Sequence, residues 1–133
     1  MNDPILTPEQ IAHNQRPLTK KEILILDLED ARGYIKRGWN QGCSAVDDKG
    51  ECVFPDNPAA VSWCILGACD AAGKSSSNSD LMAKLIRIAN DRQVISLLND
   101  RELKTQEEAI AVFDKTIEYV KTGLDDDLNV ISS

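Results

Sequence analysis

Apolar residues recur at helical spacing along most of this chain, and one stretch breaks the rhythm. Leu24, Leu28, Ala31 and Ile35 fall on one face, with Ile23 and Tyr34 on its shoulder. Thr19-Lys20-Lys21-Glu22 ahead of them is a capping box, which predicts a helix to about Lys36. The run Ile23 to Leu28 alone would pass for a strand; the cap and the charged Glu29-Asp30 continuation decide for helix. Lys36 and Arg37 stand where the helix dipole favours cations, and Gly38 is expected as a left-handed stop. Ser79 caps a second amphipathic run to about Asn90, with Leu81, Met82, Leu85, Ile86 and Ala89 inward. Thr105-Gln106-Glu107-Glu108 is another capping box, and the helix after it turns Ala109, Phe113, Thr116, Ile117 and Val120 inward and stops at Gly123. Val94 to Leu98 is short and apolar, readable as a helical turn or two or as an extended piece.

The stretch from Gly38 to Ala72 holds both tryptophans and all four cysteines. Short β-forming runs flank Asp47-Asp48-Lys49-Gly50, which predicts a hairpin over about 43–54 with Gly50 at positive φ. Such a turn sets Cys52 opposite about Val46 and Cys43 opposite about Phe54, so the two thiols are not expected to pair. Asn57 then reads as a cap and Pro58 as the first residue of a helix to Ala72. Val61, Cys64, Ile65, Ala68 and Ala72 would form its apolar stripe, with Trp63 on the flank. Gly67 in that helix implies a close neighbour, for which Trp39 is the expected ring. The fold expected is mainly α: a single domain of about four main helices plus a small β-hairpin. Residues 1–18 read as an N-terminal arm with a capping box at Thr7-Pro8-Glu9-Gln10, residues 19–123 as the helical domain, and residues 124–133 as a loose acidic tail.

Charge and cysteine usage narrow the function classes. The formal net charge is −7, spread over both halves of the chain, which disfavours direct nucleic-acid binding because no basic face is left to displace counterions from phosphates. There is no apolar run long enough to span a bilayer and no apolar leader core, so a cytoplasmic protein without membrane contact is expected, its four cysteines reduced. Zinc is disfavoured by the absence of a C-x-x-C knuckle. Cys64 and Cys69 would also lie about 140° apart around one helix. A cysteine nucleophile lacks a base, the single histidine, His13, being in the arm. Gly73-Lys74-Ser75 misses phosphate-loop spacing, since Ala68 stands where the first glycine belongs. Asp47 to Glu51 lacks the ligand alternation of a calcium loop. No catalytic residue, metal or cofactor is assigned. The candidate pocket residues are Trp39, Asn40, Gln41, Trp63, Asn99 and Asp100; the four polar ones suit a structural role better, satisfying orphan backbone groups beside apolar elements.

Gly38-Trp39-x-Gln41-Gly42, the D-x-x-G turn, Pro58 and Ala60, Trp63-Cys64-x-x-Gly67-Ala68 and the later Asn99-Asp100, Thr105-Gln106-x-Glu108 and Phe113-Asp114-x-x-Ile117 together resemble an uncharacterised small domain family of bacteria and their phages. In that family tryptophan often precedes the N-D pair; here the residue is Leu98. The resemblance implies a fold and no catalytic residues. With the acidic charge, it implies a non-enzymatic accessory protein that binds and modulates or inhibits a host protein, such as a defence protein with a basic surface. The alternatives are a small-molecule binder or enzyme with a pocket between the hairpin and the Trp63 helix, and a homo-oligomeric structural protein.

Overall fold

Two helices of 18 residues each frame the protein: α1, Lys20–Arg37, and α5, Gln106–Gly123. The computed structural model describes residues 17–131, so the arm's capping box lies outside the described residues. Both long helices begin with the expected capping boxes, Thr19 with Glu22 and Thr105 with Glu108. They also cap each other's ends. Gln106 donates its amide to the carbonyls of Ile35 (2.8 Å) and Lys36 (3.1 Å) at the end of α1. Lys21 donates its ammonium to the carbonyls of Lys121 (2.9 Å) and Leu124 (2.7 Å) at the end of α5. Carbonyls that a helix terminus leaves unpaired are thus satisfied by the partner's first turn, and Arg32 to Asp114 (2.6 Å) joins the helices midway. Leu24, Leu28, Ala31 and Ile35 are all fully buried, as their spacing requires.

Between them lie β1 (Ala45–Asp47), β2 (Cys52–Val53), β3 (Ala60–Trp63), α2 (Ile65–Ala72), α3 (Ser79–Asn90) and α4 (Ile95–Leu97). A π-helical turn, Leu98–Glu102, follows α4 and is closed by Leu103 N–H to Leu98 C=O at 3.0 Å. The architecture is mainly α with a small antiparallel sheet, as expected. The sheet has three strands in the order β2-β1-β3, one more than the hairpin predicted. Ala45 pairs with Val53 and Val46 with Cys52, and Gly50 takes φ +80 in the turn.

Several expectations are corrected. The helix expected from Pro58 begins only at Ile65. Asn57 accepts from the N–H of Ala59 (2.8 Å) and its carbonyl from Ala60 N–H (2.9 Å), closing a turn that delivers the chain into β3. Trp63 is 2% exposed while Val61 is 47% exposed, because a bulge in the β1–β3 ladder leaves Val61 without a paired residue and breaks the two-residue alternation. Gly38 does not adopt a left-handed conformation; its φ of 177° is ordinary extended backbone. A side chain there would overlap the Val61 carbonyl, so close approach to β3 excludes a larger residue. Gly67 is notched against the backbone of Ser44, not against the Trp39 ring: a Cβ would overlap the Ser44 oxygen and lie 2.7 Å from its carbonyl carbon. Cys43 and Cys52 form a disulfide, against the expectation of four thiols. Cys43 precedes β1 in the bend after Gly42, outside the regular ladder, so strand register does not govern where its side chain points. The stretch after α5 is read from sequence as loose, yet Leu124 is buried, and Ile131 N–H donates to Gly123 (2.9 Å).

Candidate functional site

The site is built where the chain leaves α1. Residues Gly38 to Gly42 run alongside β3: Trp63 N–H donates to Gly38 C=O (2.9 Å) and Asn40 N–H to Trp63 C=O (3.1 Å). The short strands leave a gap that the π-helical turn fills with Asn99, 2% exposed. Asn99 makes the four hydrogen bonds its amide allows. Its Oδ1 accepts from Trp39 Nε1 (2.8 Å) and from Ile65 N–H (3.1 Å), the latter an orphan donor at the start of α2. Its Nδ2 donates to Asn40 C=O (3.1 Å) and to Asp100 Oδ1 (2.8 Å). Gln41 directs its amide at the carbonyls of Asn99 (2.9 Å), Asp100 (3.2 Å) and Leu103 (3.1 Å), and Asp100 Oδ1 accepts from Gly42 N–H (3.1 Å). Five of the six candidate residues thus converge on one network.

Trp63 stands beside that network but points elsewhere. Its Nε1 donates to Pro55 C=O (2.9 Å), its ring lies 4.8 Å from that of Tyr34, and the Arg37 guanidinium covers it at 4.9 Å. Asn40 donates to Ser62 Oγ (3.0 Å), while its Oδ1 is buried without a partner among the described residues. Asn99, Gln41 and Asp100 thus direct their hydrogen bonds to one another, to Trp39 and to backbone, which is what a lock between α1, α2 and the π-helical turn requires.

A cleft of about 160 Å³ remains next to the lock, lined by Gly42, Cys43, Ser44, Cys64, Leu66, Ile95, Ser96, Asn99 and Asp100. Only two of the six candidates line it, and it is smaller than the roughly 300–1,000 Å³ of ordinary small-molecule pockets. Cys64, expected in mid-helix, is instead the N-cap of α2, its Sγ accepting from Gly67 N–H at 3.2 Å. Burial pushes the Cys64 thiol above its ordinary pKa, and Asp100 and Asp70 add to that, against the N–H groups of Gly67 and Leu66. Cys69, fully buried, is pushed up further, chiefly by desolvation.

On the other side of the sheet edge a larger groove of about 460 Å³ is lined by Cys43, Ser44, Cys52, Val53, Phe54, Pro55 and Asn57. The disulfide forms part of its wall, and Phe54 beside it is 80% exposed. The hairpin turn that leads into Cys52 carries Asp47, Asp48 and Glu51 against one cation, Lys49. Next to Pro55 in sequence, Asp56 pairs with Lys74 (2.6 Å), which lowers the pKa of the carboxyl and raises that of the amine. Sequence reasoning places Phe54 only as the hairpin residue opposite about Cys43 and does not single out this face. The signal lies in Pro55-Asp56-Asn57-Pro58, which ends β2 at once and leaves Phe54 no second layer to pack against.

A model of a family of unknown function, DUF6197, matches residues 22–119. The chain belongs to this family. The match runs from the capping box of α1 to the last turns of α5, so the lock and the groove both lie within the DUF6197 domain. No curated protein and no solved structure matches the chain. No helix among the described residues is long and apolar enough to cross a membrane.

Proposed function

We propose that this DUF6197 protein is a non-enzymatic interaction module that binds a protein partner with a basic surface through the hairpin face. One observation carries the reading: an aromatic side chain, Phe54, is 80% exposed beside an apolar groove on a hairpin whose turn is acidic. A large ring left in water at a sheet edge is the kind of anchor that dominates binding energy once it enters a partner's pocket. The surrounding Asp47, Asp48 and Glu51 set the complementary charge, favouring a partner that presents Lys or Arg around an apolar seat. In the bacterial and phage setting that the resemblance implies, a host protein with a nucleic-acid-binding surface has this chemistry, and an acidic protein occupying it would modulate or inhibit that partner. The closed hydrogen bonding of Asn99, Gln41 and Trp39 and the small adjoining cleft favour this reading over a small-molecule site.

The test compares capture from host lysate by the wild type, by Phe54→Ala and by Asp47→Asn with Asp48→Asn, at low and at moderate salt. A stoichiometric partner is expected with wild type, at least about tenfold weaker with Phe54→Ala, and more salt-sensitive with the charges present than without them. No partner at either salt, or equal capture by Phe54→Ala, overturns the proposal. A dimeric mass by light scattering that Phe54→Ala makes monomeric would assign the groove to a second copy instead.

A further inference from the structure

The sequence carries four cysteines, and the fold deals them into three environments. Cys69 is fully buried, Cys43 and Cys52 are crosslinked, and Cys64 is a free thiol at the mouth of α2. Cys43 is the one that faces both ways: it lines the outer groove with Cys52 and the inner cleft with Cys64. The backbone holds these neighbours together, because Cys64 N–H donates to Ser44 C=O at 3.1 Å, one residue from Cys43. Ala45 pairs with Trp63 in the adjoining ladder, which holds the backbone of Ser44 beside Cys64. At its other end Cys52 is exposed on the edge strand β2, from which a freed sulfur can leave into solvent.

We propose that Cys43, Cys52 and Cys64 form a thiol–disulfide exchange site, in which Cys64 attacks Cys43 across the inner cleft and releases Cys52. The step balances without an outside oxidant or reductant. The Cys64 thiol loses its proton to water or hydroxide, its sulfur bonds to Cys43 Sγ, the Cys43–Cys52 bond breaks, and Cys52 leaves as a thiolate that takes up a proton. Burial is the main effect and opposes the attacking thiolate; the N–H groups of Gly67 and Leu66 at the start of α2 favour it, and Asp100 and Asp70 oppose it. Exchange is therefore slow near neutrality and quickens with pH. Its structural consequence is a moved crosslink: β2 loses its tie to the chain before β1, and that segment is instead tied to the N-terminus of α2. A two-residue edge strand without a covalent staple is weakly held, so exchange would loosen the outer groove.

The experiment follows the crosslink directly and does not depend on any binding partner. Oxidised protein without added thiol is incubated at pH 7 and pH 8, quenched in acid, blocked with N-ethylmaleimide in denaturant, and digested with trypsin and an Asp-directed protease. Cleavage before Asp47, Asp56 and Asp70 and after Lys49 separates the Cys43 and Cys52 peptides from the one that carries both Cys64 and Cys69, within which tandem mass spectrometry assigns the crosslinked cysteine. A Cys43–Cys64 crosslinked peptide with a newly blocked Cys52 is expected, appearing about tenfold faster at the higher pH because the rate follows the thiolate fraction. Cys64→Ser should abolish the release of Cys52. Cys52→Ala, its fold checked by circular dichroism, should form the Cys43–Cys64 bond in a glutathione redox buffer that crosslinks Cys43 to Cys52 in wild type. Absence of that bond in folded Cys52→Ala, or equal Cys52 release from wild type and Cys64→Ser, overturns the proposal.

Discussion

Replacing Gly67 by alanine adds one methyl group to a helix, a change that normally stabilises, and here it should do the reverse. The added Cβ would overlap the Ser44 oxygen and stand 2.7 Å from its carbonyl carbon and 3.2 Å from its Cα, where ordinary contacts begin at 3.4 Å. The obstacle is backbone, held by the Cys64 N–H bond to that same oxygen (3.1 Å), and cannot rotate away as a side chain would. Overpacking of this kind costs about 1–3 kcal/mol, and losing or stretching the Ser44–Cys64 bond adds about 1 kcal/mol. Gained helix propensity returns at most about 1 kcal/mol. The net is a loss of about 1–3 kcal/mol, or roughly 3–15 °C in melting temperature for a domain of this size. Gly33→Ala is the matched control. Gly33 lies inside α1, and a methyl group added there meets nothing within 4 Å, so the same substitution should raise stability by up to about 1 kcal/mol. Urea unfolding followed by circular dichroism measures both. Equal or greater stability of Gly67→Ala than wild type would refute the close-approach argument, and a rise in both variants would show propensity governing both sites.

Three further outcomes are expected. Asn99→Ala leaves Trp39 Nε1, Ile65 N–H and Asn40 C=O short of a partner, so chemical denaturation should show a loss of about 3–4 kcal/mol. Phe54→Ala, at an 80% exposed ring, should change the unfolding free energy by no more than about 0.5 kcal/mol, separating its expected binding defect from any folding defect. Stability should also fall in alkali. The folded pKa of buried Cys69 is raised above the ordinary 9.0, so the unfolded thiol ionises first. The stability is fully present below about pH 9 and declines above it by up to about 1.4 kcal/mol per pH unit. Thermal unfolding from pH 8 to 10 should show this decline, and Cys69→Ala should make it shallower.

The chain's own pattern determined the helices whose signals are local. Thr19 with Glu22 and Thr105 with Glu108 cap within one turn, and Leu24, Leu28, Ala31 and Ile35 mark a buried face by spacing alone. Asn40, Gln41, Asn99 and Asp100 could be read as polar residues beside apolar elements, but their partners could not. Trp39 and Asn99 meet across 60 residues of sequence, and only folding of α1 against α2 and the π-helical turn brings them together. Ala60–Trp63 became a strand because Ala45 and Val46 offered a ladder to join, overriding the local Asn57-Pro58 start signal. The disulfide likewise depended on the bend after Gly42, which no strand register encodes. Local hydrogen bonds and periodic burial can be read residue by residue. A side chain's distant partner, or the face a short strand finds, depends on which surfaces the helices leave open once they have packed.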